Sequence, residues 1–289
     1  LTDMSEISLA KSRSGVLSGL RWGMEHPSLT LGGIIVALIV VCAIFAPWLS
    51  HYDPYAQDLL NILSAPSADH WLGTDDYGRD IFSRTIYGAR ISLIEVVVSV
   101  ALSLLMGLPL GIIAALCGKS VDHLIMWVMD VIFAFPGIVL AILLVSVLGA
   151  GLLNMLLAIA IFSVPVYARL SRNLTLGIKN MEYMEAARAL GIGYRRQIIH
   201  YILRNTLGPI TVQATLTGGS VILAAASLSF LGMGVQPPMP EWGTMMSDGR
   251  NFLGISLGIS LWPGLAIVFS VLGFNLLGDG LRDIMDSRL

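Results

Sequence analysis

Charge is scarce in this sequence. Asp, Glu, Lys and Arg supply 12% of its 289 residues, about half the share usual in a soluble globular protein. Most of the chain is therefore not solvated by water, and its class is integral membrane protein. Cysteine is scarce too. Cys42 and Cys117 fall in or beside apolar runs, do not suggest a disulfide framework, and hold no metal alone. The five histidines form no H-E-x-x-H or Cys/His cluster. No Ser/His/Asp or paired-carboxylate arrangement for a reaction is present. The chain reads as a conduit, not an enzyme.

What it has in abundance is apolar sequence, 55% of the residues. The run 29–49 carries no charge over a length that crosses a bilayer at 1.5 Å per residue. It is too long for the apolar region of a secretory signal, and cleavage is not expected. Further spans are expected at 91–116, 124–148, 152–170, 207–233 and 261–277, giving an all-α membrane protein of six transmembrane helices. Pro109, Pro136, Pro165, Pro209 and Pro263 lie in or at these spans and are read as kinks. Gly107 and Gly111 form a G-x-x-x-G, whose ordinary reading is close helix packing within the chain.

Orientation follows from where the basic residues lie. With both termini cytoplasmic, thirteen of the seventeen Lys and Arg residues face the cytoplasm, and only Arg79, Arg84, Arg90 and Arg250 lie outside. The expected order is a cytoplasmic segment 1–28, a first helix 29–49 and a periplasmic loop 50–90. A core 91–280 follows, containing a cytoplasmic region 171–206 and a periplasmic loop 234–260, and then a cytoplasmic tail 281–289. The first outside loop is rich in aspartate, and its second half from His70 mixes turn formers, aromatics and arginines. The second contains QPPMPEWG, stiffened by its prolines.

The longest polar interruption in the later part of the chain is 182–205. Its spacing predicts two short helices with a turn between them. Tyr183, Ala187 and Leu190 share a face of the first. Gly191 stands where a helix end wants a left-handed residue, and Gly193 follows closely. The second puts Ile198, Ile199, Ile202 and Leu203 on one side and Arg196, His200 and Arg204 on the other. Two readings fit: a basic helix pair resting on the membrane surface, or a docking element for a partner.

Two other features bear on chemistry. Residues 111–120, GIIAALCGKS, end like a phosphate-binding loop. However, six residues separate Gly111 from Gly118 where that motif has four, Ile113 occupies the required glycine, and a membrane helix precedes it instead of a strand. Glu95 and Asp130 are the acids placed within spans. Each is a candidate for the transport path, because an intramembrane carboxylate is costly, and each is also near enough to an interface to be paired or hydrated.

The polar stretch and its surroundings resemble the permease subunits of bacterial ABC importers. The cytoplasmic signature of that family is E-A-A, three residues, then G. Here Glu185, Ala186 and Ala187 are followed by Gly191, while Arg204 stands where the signature ends in proline. HWLGTDDYGRDIFSRTIYGAR, SFLGMGVQPPMPEWGTM and FNLLGDGLRD narrow the likeness to the dipeptide/oligopeptide/nickel subfamily and its "C" component. The resemblance implies a type I (MetI-like) permease core in the bacterial inner membrane, paired with a second homologous permease. Two ATPase subunits would hold ATP and Mg, none of it bound by this chain, and a periplasmic substrate-binding protein would dock above. Membrane lipid surrounds the assembly, and nucleic acid is not among the expected partners. Glu185, Ala186, Ala187, Arg188, Leu190, Gly191 and Gly193 would form the coupling region, with the alanines allowing close approach of an ATPase. Asp75, Asp76, Arg79, Asp80, Glu241 and Trp242 are the candidate contacts for the binding protein. The implied cargo is di- or oligopeptides, with nickel chelates, glutathione or another small solute as the alternative. An ATP-independent transporter or channel is the alternative class.

Overall fold

The computed structural model describes residues 25–286. Its elements are helical, in the order α1 (Pro27–Leu49), α2 (Ile81–Leu116), α3 (Lys119–Phe133), α4 (Gly137–Leu148), α5 (Leu152–Lys179), α6 (Glu182–Ala189) and α7 (Tyr194–Gln197). A π-helical turn (Ile198–Leu203) then leads into α8 (Arg204–Phe230), α9 (Trp242–Gly249) and α10 (Gly258–Asp286). Five stretches are long and apolar enough to cross a membrane, and the bent pair α3–α4 makes a sixth if counted as one span. The expected span count is met on that basis. Residues 1–24 of the expected N-terminal segment 1–28, and residues 287–289 of the expected tail 281–289, lie outside the described residues.

The core of the bundle is the crossing of α2 with α5, flanked by α8 and α10, with α1 along the outside of α10 and α2. Small residues allow these approaches. Gly107 lies against the backbone of Val164 and Ala168, and Gly111 against Ala168 and Ser171, so the G-x-x-x-G does pack within the chain. Gly32 and Gly280 do the same where α1 meets α10. Ser103 bridges the α2–α5 seam by donating to the carbonyls of Ser99 and Ala160.

Three expectations about the spans change. Helix α2 begins at Ile81, ten residues before the apolar run, because Arg84 is buried against the loops and donates to the Pro54 carbonyl, while the exposed Arg90 lies over the Tyr87 ring of the same helix. Helix α5 continues to Lys179 and α10 to Asp286, so both project beyond their apolar runs. The third span is not a kinked rod. It breaks over Ala134, Phe135 and Pro136, and its halves meet at 89°. Proline removes the amide and clashes with the preceding turn, and Gly137 beyond it restarts the helix in a new direction.

Candidate functional site

At the end of the bundle that carries Lys119, Lys179 and Arg188, α6 forms a compact knob. Met181 caps it without a side-chain bond, and Glu182 and Glu185 occupy its first turn, where the helix dipole favours acids. Its far end is closed by a Schellman motif: Ile192 N–H donates to Ala187 O and Gly191 N–H to Arg188 O, each at 3.0 Å. Gly191 has φ +71°, as that motif demands, with open space around it. Gly193 has an ordinary φ of −63° and caps α7.

The knob is held by its inner face. Met184 and Ala187 are buried, and Met184 joins Ile112 of α2, Ile178 of α5 and Ile202 of the π turn in one apolar cluster. Arg188 donates from Nη2 to the Lys179 carbonyl at 3.0 Å, and Tyr183 stacks on Tyr201 at 6.1 Å. Burial centres on Met184 and Ala187; Tyr183 and Leu190, which share the Ala187 face by spacing, are exposed. Of the alanine pair only Ala186 faces outward, because Ala187 packs on its own bundle. Glu185 and Arg188 are exposed, Leu190 is 80% exposed and Tyr194 68%. The second segment is not a separate helix. The π turn runs into α8 without a break, Arg204 supplying the backbone amide that a proline would lack. The turn's extra residue rotates Ile199 outward, away from the buried Ile202.

At the opposite end, loop 50–80 and the loop carrying α9 are locked together by buried charge. Asp75 accepts from the backbone of Tyr77 and Arg79, each at 2.9 Å, and from Arg79 Nε at 2.6 Å. Arg79 lies 3.9 Å from Asp248 of α9 and 3.7 Å from Asp76. Arg84 donates to the carbonyls of Pro54 and Pro238. Asp80 caps α2 through Ser83 N–H and meets His70 at 2.9 Å. Glu241 caps α9 through the amides of Gly243 and Thr244, and Trp242 donates to the Thr85 carbonyl of α2. Burial raises the carboxyls of Asp76, Asp248 and Glu241 above their ordinary values. For Asp76 the neighbouring Asp75 and Asp248 add to this, and for Glu241 the capping amides oppose it.

The structure therefore brings the six candidate contact residues together, but as a fastening. Asp75, Arg79, Asp80, Glu241 and Trp242 are buried and Asp76 is half-buried, so five of the six offer no surface to a partner. They are buried because each charge finds its partner inside the chain. The exposed apolar residues at this end are others, among them Leu59, Leu60 at 95% and Ile255 at 75%. No local pattern marks Asp248 and Arg84 as site residues, since they meet partners far along the chain. Glu95 is buried in α2 with Oε1 unpartnered, whereas Asp130 is exposed and paired with Arg169 at 2.5 Å, which also covers the Phe133 ring. The two are not brought together.

A family model described as "Binding-protein-dependent transport system inner membrane component" matches residues 107–289, well over half of the chain. The chain belongs to that family. A second model, the N-terminal TM domain of oligopeptide transport permease C, matches residues 24–66. The chain is 48% identical over 259 residues to the dipeptide transport system permease protein DppC of Alkalihalophilus pseudofirmus, covering 90% of this chain and 85% of that protein. It is 45% identical over 260 residues to the glutathione transport system permease protein GsiD of Pectobacterium atrosepticum, covering 89% and 86%. Among solved structures, an inward-facing form of the MetNI methionine ABC transporter matches with TM-score 0.58 at 18% identity, over 71% of this chain and 97% of that one. That likeness establishes the MetI-like helical core. Members of the family are permease subunits, so the chain is a transport component rather than an enzyme, without a cofactor of its own, and a multi-pass protein of the bacterial inner membrane.

Proposed function

We propose that the chain is one of two permease subunits of an ATP-driven importer for di- or oligopeptides, with 182–193 as the element seated in an ATPase. The observation that carries this is the knob itself. A short helix closed by Gly191 projects beyond the bundle, presents Glu185, Ala186, Arg188 and Leu190 outward, and is anchored through Met184 to the ends of α2 and α5 and to the π turn that leads into α8. An element so anchored transmits rigid-body motion instead of absorbing it. Its partners would be two ATPases holding ATP and Mg, a second homologous permease and a periplasmic binding protein, with both termini on the ATPase side. The buried charges at the other end keep the docking surface in shape, and exposed Leu59, Leu60 and Ile255 beside them supply contact area. The dipeptide permease relatives favour peptide cargo, and the glutathione permease relatives favour glutathione as the second reading.

The test is purification of the assembly through this chain and its reconstitution in vesicles. ATPase subunits co-purify, and peptide uptake requires ATP and a peptide-loaded binding protein. Uptake that proceeds without nucleotide overturns the proposal in favour of an ATP-independent transporter or channel.

A further inference from the structure

The right-angle break of the third span opens a cavity of about 280 Å³ between α3, α4, α5 and α8. Gln213, Thr217 and Ser220 of α8 line it, facing Ser163 and Phe162 of α5 and Phe135 at the break. Positions 213, 217 and 220 recur at i, i+4 and i+7, one stripe of a helix. Thr217 stands about 20 Å from either end of α8, with Gln213 and Ser220 within about 6 Å of it along the axis, near the middle of the bilayer. The stripe is consumed by internal bonding only in part: Thr217 is buried and donates to the Gln213 backbone carbonyl at 2.8 Å, which leaves its oxygen as an acceptor. The Gln213 amide makes one long bond, 3.4 Å to Thr217 Oγ1, and Ser220 is exposed. Behind the cavity, one turn past Ser163, the buried Tyr167 hydroxyl is directed at Thr217 without closing a regular hydrogen bond. Helix α4 starts at the same cavity with Gly137 in its wall and no side chain capping it.

Irregular backbone at membrane depth survives only inside protein or beside water. Ala134, Phe135 and Pro136 are all exposed on this chain, so lipid is not what they meet. Broken helices with unspent donors near the midplane are where transport proteins hold their cargo. We infer that this elbow cavity is a subsite on the transport route for the amide backbone of a peptide, with Gln213, Thr217 and Ser220 as its hydrogen-bonding wall. This rests on the importer reading. The lining is uncharged and offers both donors and acceptors beside aromatic faces, which suits a peptide unit whatever its side chains. The volume is near the lower limit for small-molecule sites, so it holds one stretch of a peptide at a time.

Single cysteines at 213, 220 and 268 in a chain with Cys42→Ala and Cys117→Ser, assembled in the full transporter, provide the test. The probe is the water-borne reagent methanethiosulfonate ethylsulfonate. Ser220→Cys and Gln213→Cys are expected to label, at least tenfold faster than Val268→Cys on the outer face of α10, and millimolar dialanine is expected to slow them severalfold. Gln213→Leu is expected to lower peptide imported per ATP hydrolysed about tenfold, with Gln213→Asn recovering part of it. No labelling at 220 in either the nucleotide-free or the ATP-trapped state, while Leu60→Cys labels fully, overturns the subsite. Protected labelling at 220 in an assembly that hydrolyses no ATP upholds the subsite and removes the importer reading instead.

Discussion

Arg188 reaches back from α6 to the Lys179 carbonyl at the end of α5, 3.0 Å away. The bond closes the corner between the long helix and the knob and satisfies one of the carbonyls that a helix end leaves free. Because the guanidinium is exposed, its loss costs up to about 1 kcal/mol. Arg188→Ala is therefore expected to speed hydrogen exchange in α6 by up to about fivefold, with exchange in α8 unchanged.

Gly191 and Gly193 stand two residues apart and will respond differently. Both have open space around them, so backbone conformation alone decides. Gly191→Ala forces a side chain into the left-handed region, at about 1–2 kcal/mol, and should loosen the knob. Gly193, at φ −63°, accepts alanine with little change. Hydrogen exchange at Leu190–Ile192 reads the difference.

The two alanines of the signature separate docking from packing. Ala186 faces outward and Ala187 inward. Ala186→Trp should leave thermal unfolding of the permease unchanged while cutting binding-protein-stimulated ATP hydrolysis and uptake severalfold. Ala187→Trp should lower the unfolding temperature as well, because the new ring displaces Met184 from its cluster. Equal unfolding temperatures for the two variants would count against this assignment of faces.

Gly111 sits where a Cβ would strike the Ala168 carbonyl of α5, whereas Gly177 of α5 has nothing near it. Overpacking against backbone costs about 1–3 kcal/mol, so Gly111→Ala should destabilise the detergent-solubilised protein by that amount. Gly177→Ala should be neutral or add about 0.5–1 kcal/mol, since helix interiors favour alanine.

Asp76 and Asp248 titrate above their ordinary value of 3.8 in the folded chain because of burial. The folded state therefore keeps these protons to a higher pH than the unfolded state does. Between 3.8 and the raised values, stability falls as pH rises, and above them the loss is complete. Acidifying from neutral through that window is expected to tighten the fastening between loop 50–80 and α9. Amide exchange there, corrected for intrinsic rates, should show it, and Asp248→Asn should flatten the dependence.

Much of this was legible in the sequence. Apolar runs located the membrane helices, and Gly191 located the knob's turn through the φ it requires. In the sequence the break in the third span looks like a kink, because hydropathy continues through Ala134–Pro136 while the backbone does not. The start of α2 is hidden by Arg84, which looks like a loop residue until its partners, the carbonyls of Pro54 and Pro238 and the Asp75 carboxylate, are seen. The pairing of Arg79 with Asp248 joins residues far apart in the chain, and no local pattern reports it. Met184 outweighs Ala187 as the knob's anchor because it reaches the Ile112–Ile178–Ile202 cluster, a contact set by three other segments.

Helix α2 runs for 36 residues, about 54 Å. One of its ends is bolted through Arg84 and Trp242 to the loops, and near the other Ile112 grips the knob. Between them the helix is unbroken, with Pro109 as its one internal proline, and Gly107 and Gly111 are clamped against α5. It can serve as a pushrod: a load applied at either face of the membrane arrives at the other in the same stroke, and a joint inserted along it, two consecutive glycines at Leu104–Leu105 for instance, would leave both ends intact and mechanically deaf to each other.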